Sequence, residues 1–271
     1  MKLTVALAQV TSGPDSTENL RLATKYVADA KAASAQLIVF PEVFMNHYPA
    51  NTPLDQMESQ TISGPFVTAM RDLAQTHQMW CVFGMRQTGT TPGGRTFNTT
   101  VVLTDAGDIA GIYRKTHLYD AFGAKESERV EPGRQLFDPI ASPWGRIGLF
   151  VCYELRFPEV ARDQVAKGAE ILIVPSGWVR GPLKEDHWEH LVVTRALENT
   201  VFVLACDQVS DYYCGQSVVV DPMGVKLAQA GEEPSLVVTT IDTDRIDAVR
   251  KKLPSLGHRR PELYETAMQH A

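Results

Sequence analysis

A thiol, two carboxyls and an amine in this sequence are of the types that covalent catalysis uses. Cys152 stands where the apolar run IGLFVCYE (147–154) gives way to polar residues and a helix opened by a proline, LRFPEVARDQVAKG (155–168). A sulfur at the carboxyl end of a strand in an α/β chain lies where ligands and chemistry collect. There a helix amino end or a nearby cation can hold the thiol as a thiolate nucleophile. Taken alone, a strand cysteine is more often packing than chemistry, because cysteine is among the most buried residue types. Glu42 ends the apolar segment AQLIVFPE (35–42), and a half-buried carboxylate at such an end suits a general base. Lys115 closes the strand before the irregular segment YRKTHLYDAFGAKESERVEPG (113–133), and a desolvated ammonium there can stabilise an oxyanion. Glu126 lies in that segment with Glu128 and Glu131. A surface acid, a solvated lysine and a charged loop explain these three equally well, so position alone does not select them.

The elements that must position these groups alternate. Strands are expected at 3–10, 35–42, 79–87, 147–154, 169–176, 200–208 and 235–242. Hairpins are expected at 96–115, turning at Asp105 to Asp108, and at 215–231, turning at Asp221 to Gly224. Helices are expected after Asp15, where Glu18 completes a capping-box-like start, from near Ser63, after Pro158 and from Lys184 to Asn199. AQLIVFP (35–41) and AEILIVP (169–175) echo one another, so two similar β-α-β halves are expected. Each delivers polar residues at its strand end, Glu42 in one and Ser176 and Trp178 in the other. Many strands with few helices predict an α/β, four-layer α-β-β-α sandwich: two sheets face to face, flanked by helices, in a single domain over 1–271 with a tail from about 254.

Composition bounds the partners. The chain has 271 residues, 44% hydrophobic and 21% charged, the balance of an ordinary globular protein. A net charge of -6 without a basic stripe argues against nucleic acid or an anionic membrane as partner. No apolar stretch approaches the roughly 18 residues of a membrane helix. Four cysteines lie far apart with no CxxC pair and no zinc spacing, so neither a metal nor a disulfide framework is expected, and a reducing cytoplasm is the expected compartment.

FPEVF (40–44), YRKTHLYDAF (113–122), ESERVEPG (126–133) and VCYELRFPE (151–159), in that order, resemble the nitrilase, or carbon–nitrogen hydrolase, superfamily. The resemblance covers nearly the whole chain and implies a Glu-Lys-Cys triad on Glu42, Lys115 and Cys152, with Glu126 as a second glutamate. It reverses the packing reading of Cys152. Within the superfamily HLYDAFGAKES (117–127), GWVRGPLKEDHW (177–188), GQSVVVDPMG (215–224) and VRKKLPSLGHRR (249–260) resemble the bacterial deaminated glutathione amidases. One departure is Glu154, where relatives commonly carry Asp; its longer side chain bears on how Arg156 is placed.

The resemblance implies hydrolysis of a small linear amide through a Cys152 thioester, without metal or organic cofactor. Glu42 acts as base, and Lys115 and the Tyr153 N–H hold the oxyanion. Substrate carboxylates need cations or donors, and the candidates are Tyr48, Arg156, Arg180 and Lys184, with Phe122, Trp178 and His187 along the pocket. Each also reads as ordinary structure; Arg156 is favoured as an ion-pair partner of Glu154 or Glu159. Cys81 and Cys206 read as core, and Cys214 as a loop residue beside the site or exposed. Related chains commonly pair, so a homodimer is expected. Five alternatives stay open: an ω-amidase acting on 2-oxoglutaramate, an N-carbamoyl amino acid hydrolase, a true nitrilase, a Cys-His acyl transferase or peptidase using His117, His187 or His190, and a catalytically silent binding protein.

Overall fold

Period-two alternation in the strands decides the layering. A computed structural model of the chain describes residues 1–49, 51–92 and 94–264. Residues 265–271, the end of the expected tail, lie outside the described residues. The first sheet is built from β1 (Lys2–Gln9), β2 (Leu37–Val39), β3 (Trp80–Gln87), β4 (Phe97–Leu103), β5 (Ile109–Arg114) and β12 (Ser235–Asp242). The second is built from β6 (Ile140–Ser142), β7 (Gly145–Leu149), β8 (Ile171–Ser176), β9 (Phe202–Asp207), β10 (Val218–Val220) and β11 (Lys226–Gln229). In β1, Leu3, Val5 and Leu7 face one way and join Leu149, Ile173 and Leu204 of the second sheet in one core. Ala6 and Ala8 face the other way and pack with Ala23, Val27 and Phe66 of α1 (Ser16–Ala32) and α2 (Pro65–His77). Val160, Ala161, Val192 and Ala196 of α3 (Pro158–Ala166) and α4 (Lys184–Asn199) cover the second sheet. A short α5 (Asp244–Lys252) follows β12. The result is the expected α-β-β-α sandwich.

The echo between the two β-α-β segments extends to whole sheets. The first sheet runs β12-β1-β2-β3-β4-β5 and the second, read from its other end, β6-β7-β8-β9-β10-β11. Both follow the same pairing sequence of antiparallel, parallel, parallel, antiparallel, antiparallel. The carboxyl ends of the parallel strands β2 and β8 therefore meet, and Glu42 N–H donates to Ser176 O at 3.3 Å. Asp15 caps α1 as expected, its side chain accepting from the N–H groups of Thr17 and Glu18. No described helix is long and apolar enough to cross a membrane.

Candidate active site

Cys152 does not sit on the strand end. β7 stops at Leu149, and Cys152 opens a tight turn over Cys152–Arg156 with φ 48°, a left-handed conformation that a non-glycine residue adopts only under tertiary constraint. Glu154 supplies much of that constraint. Fully buried, its carboxylate accepts from Val151 N–H (2.7 Å), Tyr113 O–H (2.6 Å), Thr116 N–H (3.0 Å) and Thr116 O–H (2.6 Å). Burial alone would raise its pKa, but bonds from His117, Thr116 and Tyr113 win and hold it low. Glu154 thus ties the turn that carries Cys152 to the residues directly after Lys115. From α4, Arg195 clasps the same turn by donating twice to Leu155 O, at 3.1 and 2.6 Å.

Lys115, 2% exposed, lies between two carboxylates. Its Nζ donates to Glu42 Oε1 at 2.9 Å and to Glu126 Oε2 at 2.8 Å. Burial would lower the pKa of the ammonium, yet the charges of Glu126 and Glu42 raise it well above 10.5. Asn98 binds all three residues: Nδ2 donates to Glu42 Oε1 (2.7 Å) and Glu126 Oε1 (3.1 Å), and its carbonyl accepts from Lys115 N–H (2.9 Å). Tyr119 N–H donates to Glu126 Oε2 at 2.6 Å, which selects Glu126 from the three loop acids. Gly177 N–H, just past β8, donates to Glu42 Oε2 at 2.8 Å and also faces the Cys152 sulfur.

Gly84 explains how closely β3 approaches the backbone of Glu42. A Cβ at this position would lie 2.3 Å from Val43 N and 2.8 Å from the carbonyl carbon of Glu42, so a larger residue must push Glu42 aside. Displacements near 1 Å can slow catalysis by about 10²-fold. Gly84→Ala is therefore expected to lower kcat by that order while KM changes little; steady-state kinetics giving wild-type kcat would show that Glu42 is not held from here.

Burial, and then the charge of Glu42, push the Cys152 thiol well above 9.0 against the opposing pull of Lys115. Both influences favour the protonated thiol over the thiolate that a helix end and cations can hold. The sulfur needs a base when it attacks. Cys152 is 7% exposed and, with Glu42, Lys115, Glu126 and Tyr153, lines a cleft of about 1270 Å³. Among the described residues nothing accepts from Tyr153 N–H, which leaves it free to hold an oxyanion.

The other candidates fall out unevenly. Tyr48, Phe122, Arg156, Trp178, Arg180 and Lys184 all line the cleft. Arg156 bridges neither Glu154 nor Glu159. Its guanidinium lies 4.9 Å from the Trp178 ring centroid, and among the described residues it has no carboxylate within ion-pair distance. Lys184 is buried, donates to Tyr119 O–H at 2.8 Å and stands 3.6 Å from the ring centroid of Phe122, itself 70% exposed. Arg180 is occupied: Nε donates to Ser210 O (3.1 Å) and Tyr213 O (3.0 Å), with Glu232 at 3.5 Å. His187 is not on the cleft wall; it stands behind Arg156, with Nδ1 3.3 Å from Nη2. Cys214 is buried, its sulfur donating to Asp207 Oδ2 at 3.2 Å. Asp207 also accepts from Trp178 N–H at 2.7 Å and so fixes the strand end that carries Gly177.

None of the three histidines of the rival mechanism reaches the cleft. His117 stacks on Phe157 at 4.2 Å and bonds Thr116 Oγ1 at 2.9 Å, and His190 bonds Asp186 O at 2.6 Å on the exposed side of α4. His47, which the sequence did not single out, does line it. Burial, Arg86 and Arg129 push its pKa to about 4, and its Nε2 lies 2.5 Å from Tyr213 O–H. Asn98, Gly84 and Glu154 were also missed as positioning residues. The available signal was a polar or glycine interruption of an apolar strand.

Among the described residues no cluster of three His, Cys, Asp or Glu is placed to hold a metal. Thiol, carboxylate and buried ammonium on one cleft can instead carry out nucleophilic attack with general base and oxyanion support.

The chain is similar to known proteins in sequence and in fold. The sequence profile described as carbon-nitrogen hydrolase matches residues 4–251. The deaminated glutathione amidase of Escherichia coli O157:H7 is 36% identical over 243 residues, covering 90% of this chain and 92% of that relative. Saccharomyces cerevisiae Nit3, a member of branch 10 of the nitrilase superfamily, matches in structure with TM-score 0.85 and 30% identity, over 96% of this chain and 97% of that one. A mutant amidase from Nesterenkonia sp. AN1, with acrylamide added at its active site cysteine, matches with TM-score 0.80 and 26% identity, over 93% and 98%.

Proposed function

The chain belongs to the carbon–nitrogen hydrolase family and is an amide-hydrolysing enzyme, and on that premise we propose that it cleaves deaminated glutathione to 2-oxoglutarate and cysteinylglycine through a thioester on Cys152. One observation carries the reading: buried Glu42 and Lys115 and partly buried Glu126 form a bonded group on the wall that also holds the Cys152 thiol. Glu42 takes the thiol proton as sulfur attacks the amide carbon. Lys115 and Tyr153 N–H hold the oxyanion; the proton passes from Glu42 to the nitrogen, the C–N bond breaks, and the amine leaves. Glu42 then deprotonates a water that attacks the thioester; the second tetrahedral intermediate expels the sulfur, which takes the proton back from Glu42, and the released acid ionises to its carboxylate. Glu126 keeps Lys115 in place throughout. The intact group speaks against a silent binding protein, which has no chemical use for all three residues.

Arg156 and Lys184, cationic and without carboxylate partners among the described residues, suit the carboxylate of the 2-oxoacyl half. The likeness to relatives named for deaminated glutathione supports the same substrate. All four cysteines are free and buried, which suits a reducing compartment such as the cytoplasm. The expected homodimer belongs to the same proposal and rests on the resemblance alone. Release of cysteinylglycine from deaminated glutathione, measured beside ammonia release from 2-oxoglutaramate, is expected to show the higher kcat/KM for the former. A higher value for 2-oxoglutaramate assigns the enzyme as an ω-amidase, and activity confined to N-carbamoyl amino acids assigns it to that branch.

A further inference from the structure

A second set of cations lines the cleft, Arg86 from the first sheet and Arg129 from the loop just after Glu126, separate from Arg156 and Lys184, which come from the Cys152 turn and α4. Arg86 lies near the end of β3 directly opposite Asn98 on β4, so it shares a face with the residue that bonds Glu42 and Glu126. It is only 8% exposed, yet among the described residues no carboxylate pairs with it. Its Nη1 donates to Thr96 Oγ1 at 3.2 Å, its Nε is buried without an acceptor, and its guanidinium lies 5.6 Å from the Tyr48 ring centroid. Arg129 adds a second guanidinium on the same cleft, held by the carbonyls of Pro49 and Thr52 rather than by an acid. The two cations oppose each other, since burial and then Arg129 depress the pKa of Arg86, and both depress that of His47.

A buried cation without a partner is unfavourable on its own. Here it lines the cleft on the side of Glu42, the residue that hands its proton to the departing nitrogen. A carboxylate on the amine half of a substrate would supply the acid that Arg86 lacks. We propose that Arg86, with Arg129 beside it, binds a carboxylate carried on the amine half of the substrate, so that the enzyme prefers amides whose leaving group is an amino acid or short peptide with a free carboxyl end. The inference rests on the amidase reading above and deepens it, for it assigns the second end of a two-carboxylate substrate.

The test compares deaminated glutathione with the same molecule amidated at its glycine carboxyl, an exchange that removes one charge from the leaving group and leaves the acyl half intact. Wild-type enzyme is expected to favour the free acid in kcat/KM by roughly 10- to 100-fold, the value of a hydrogen bond to a charged group. In Arg86→Met that ratio is expected to fall toward one. Arg129→Met, whose side chain is more exposed, is expected to lower the same ratio and serves if Arg86→Met does not fold. A merely structural role for Arg86 would depress both substrates alike and leave the ratio where it was, which overturns the inference. A wild-type ratio near one overturns it as well, while the amidase reading stands. Failure of wild-type enzyme to cleave either compound overturns the substrate reading and the inference with it.

Discussion

Cys152→Ala is expected to remove amide turnover by on the order of 10⁴-fold or more, because without the sulfur no acyl-enzyme forms and only binding and the oxyanion donors remain. The fold is expected to survive. The sulfur is small, is not wholly buried, and stands in a turn whose left-handed geometry is enforced from outside by Glu154 and Arg195. Alanine meets the same backbone geometry as cysteine, so thermal unfolding should shift by no more than about 1 kcal/mol. Assay of the purified variant beside its melting curve separates the two effects. A folded Cys152→Ala protein with substantial turnover removes sulfur from the reaction.

Lys115→Met is the second large effect, and it reaches both activity and stability. Lys115 is the counter-ion of two carboxylates that Asn98 already draws together. Removing it leaves two like charges at a buried site, a loss of about 3–5 kcal/mol for breaking such a group, offset in part when one carboxyl takes up a proton. Activity is expected to fall by at least on the order of 10²- to 10³-fold from the lost oxyanion donor alone. The sign of the pH effect follows from the raised pKa. An ammonium held above 10.5 in the folded chain contributes stability that is fully present below about that pH and is lost as pH rises through its folded value. Wild-type protein should therefore lose stability above roughly pH 10.5 along a limb that Lys115→Met lacks. Chemical denaturation at neutral and alkaline pH reads this directly. His117→Ala, away from the cleft, is expected to keep most of the activity; the opposite ranking of the two variants restores a Cys-His mechanism.

Most of the fold was legible because the strands carry their own signals. Leu3, Val5 and Leu7 alternate with Ala6 and Ala8, and Pro41 and Pro175 punctuate equivalent strands of the two sheets. The turn at Cys152 was not legible: the apolar run continues through Val151, and only the tertiary bonds of Glu154 and Arg195 fix its left-handed backbone. Those same bonds explain why Arg156 was misread, since Glu154 is consumed by Tyr113 and Thr116 and has nothing left for it. Glu126 was beyond the reach of local spacing, because Tyr119 N–H and Lys115 Nζ select it through the folding of a long loop. His187 and Arg180 carried plausible chemistry in sequence, but one stands behind Arg156 and the other is taken up by carbonyls. Nothing in the strand pattern of 79–87 marks Arg86, and only its burial without an acid gives it meaning.

The thioester on Cys152 is the centre of the proposed chemistry, and intact-mass spectrometry tests it most directly. Full-length enzyme mixed with deaminated glutathione and quenched in acid during turnover is expected to carry one added 2-oxoglutaryl group, located by peptide mapping on Cys152 and removed by hydroxylamine. Enzyme that turns over at full rate with Cys152 unmodified, or with the acyl group on another residue, contradicts the account.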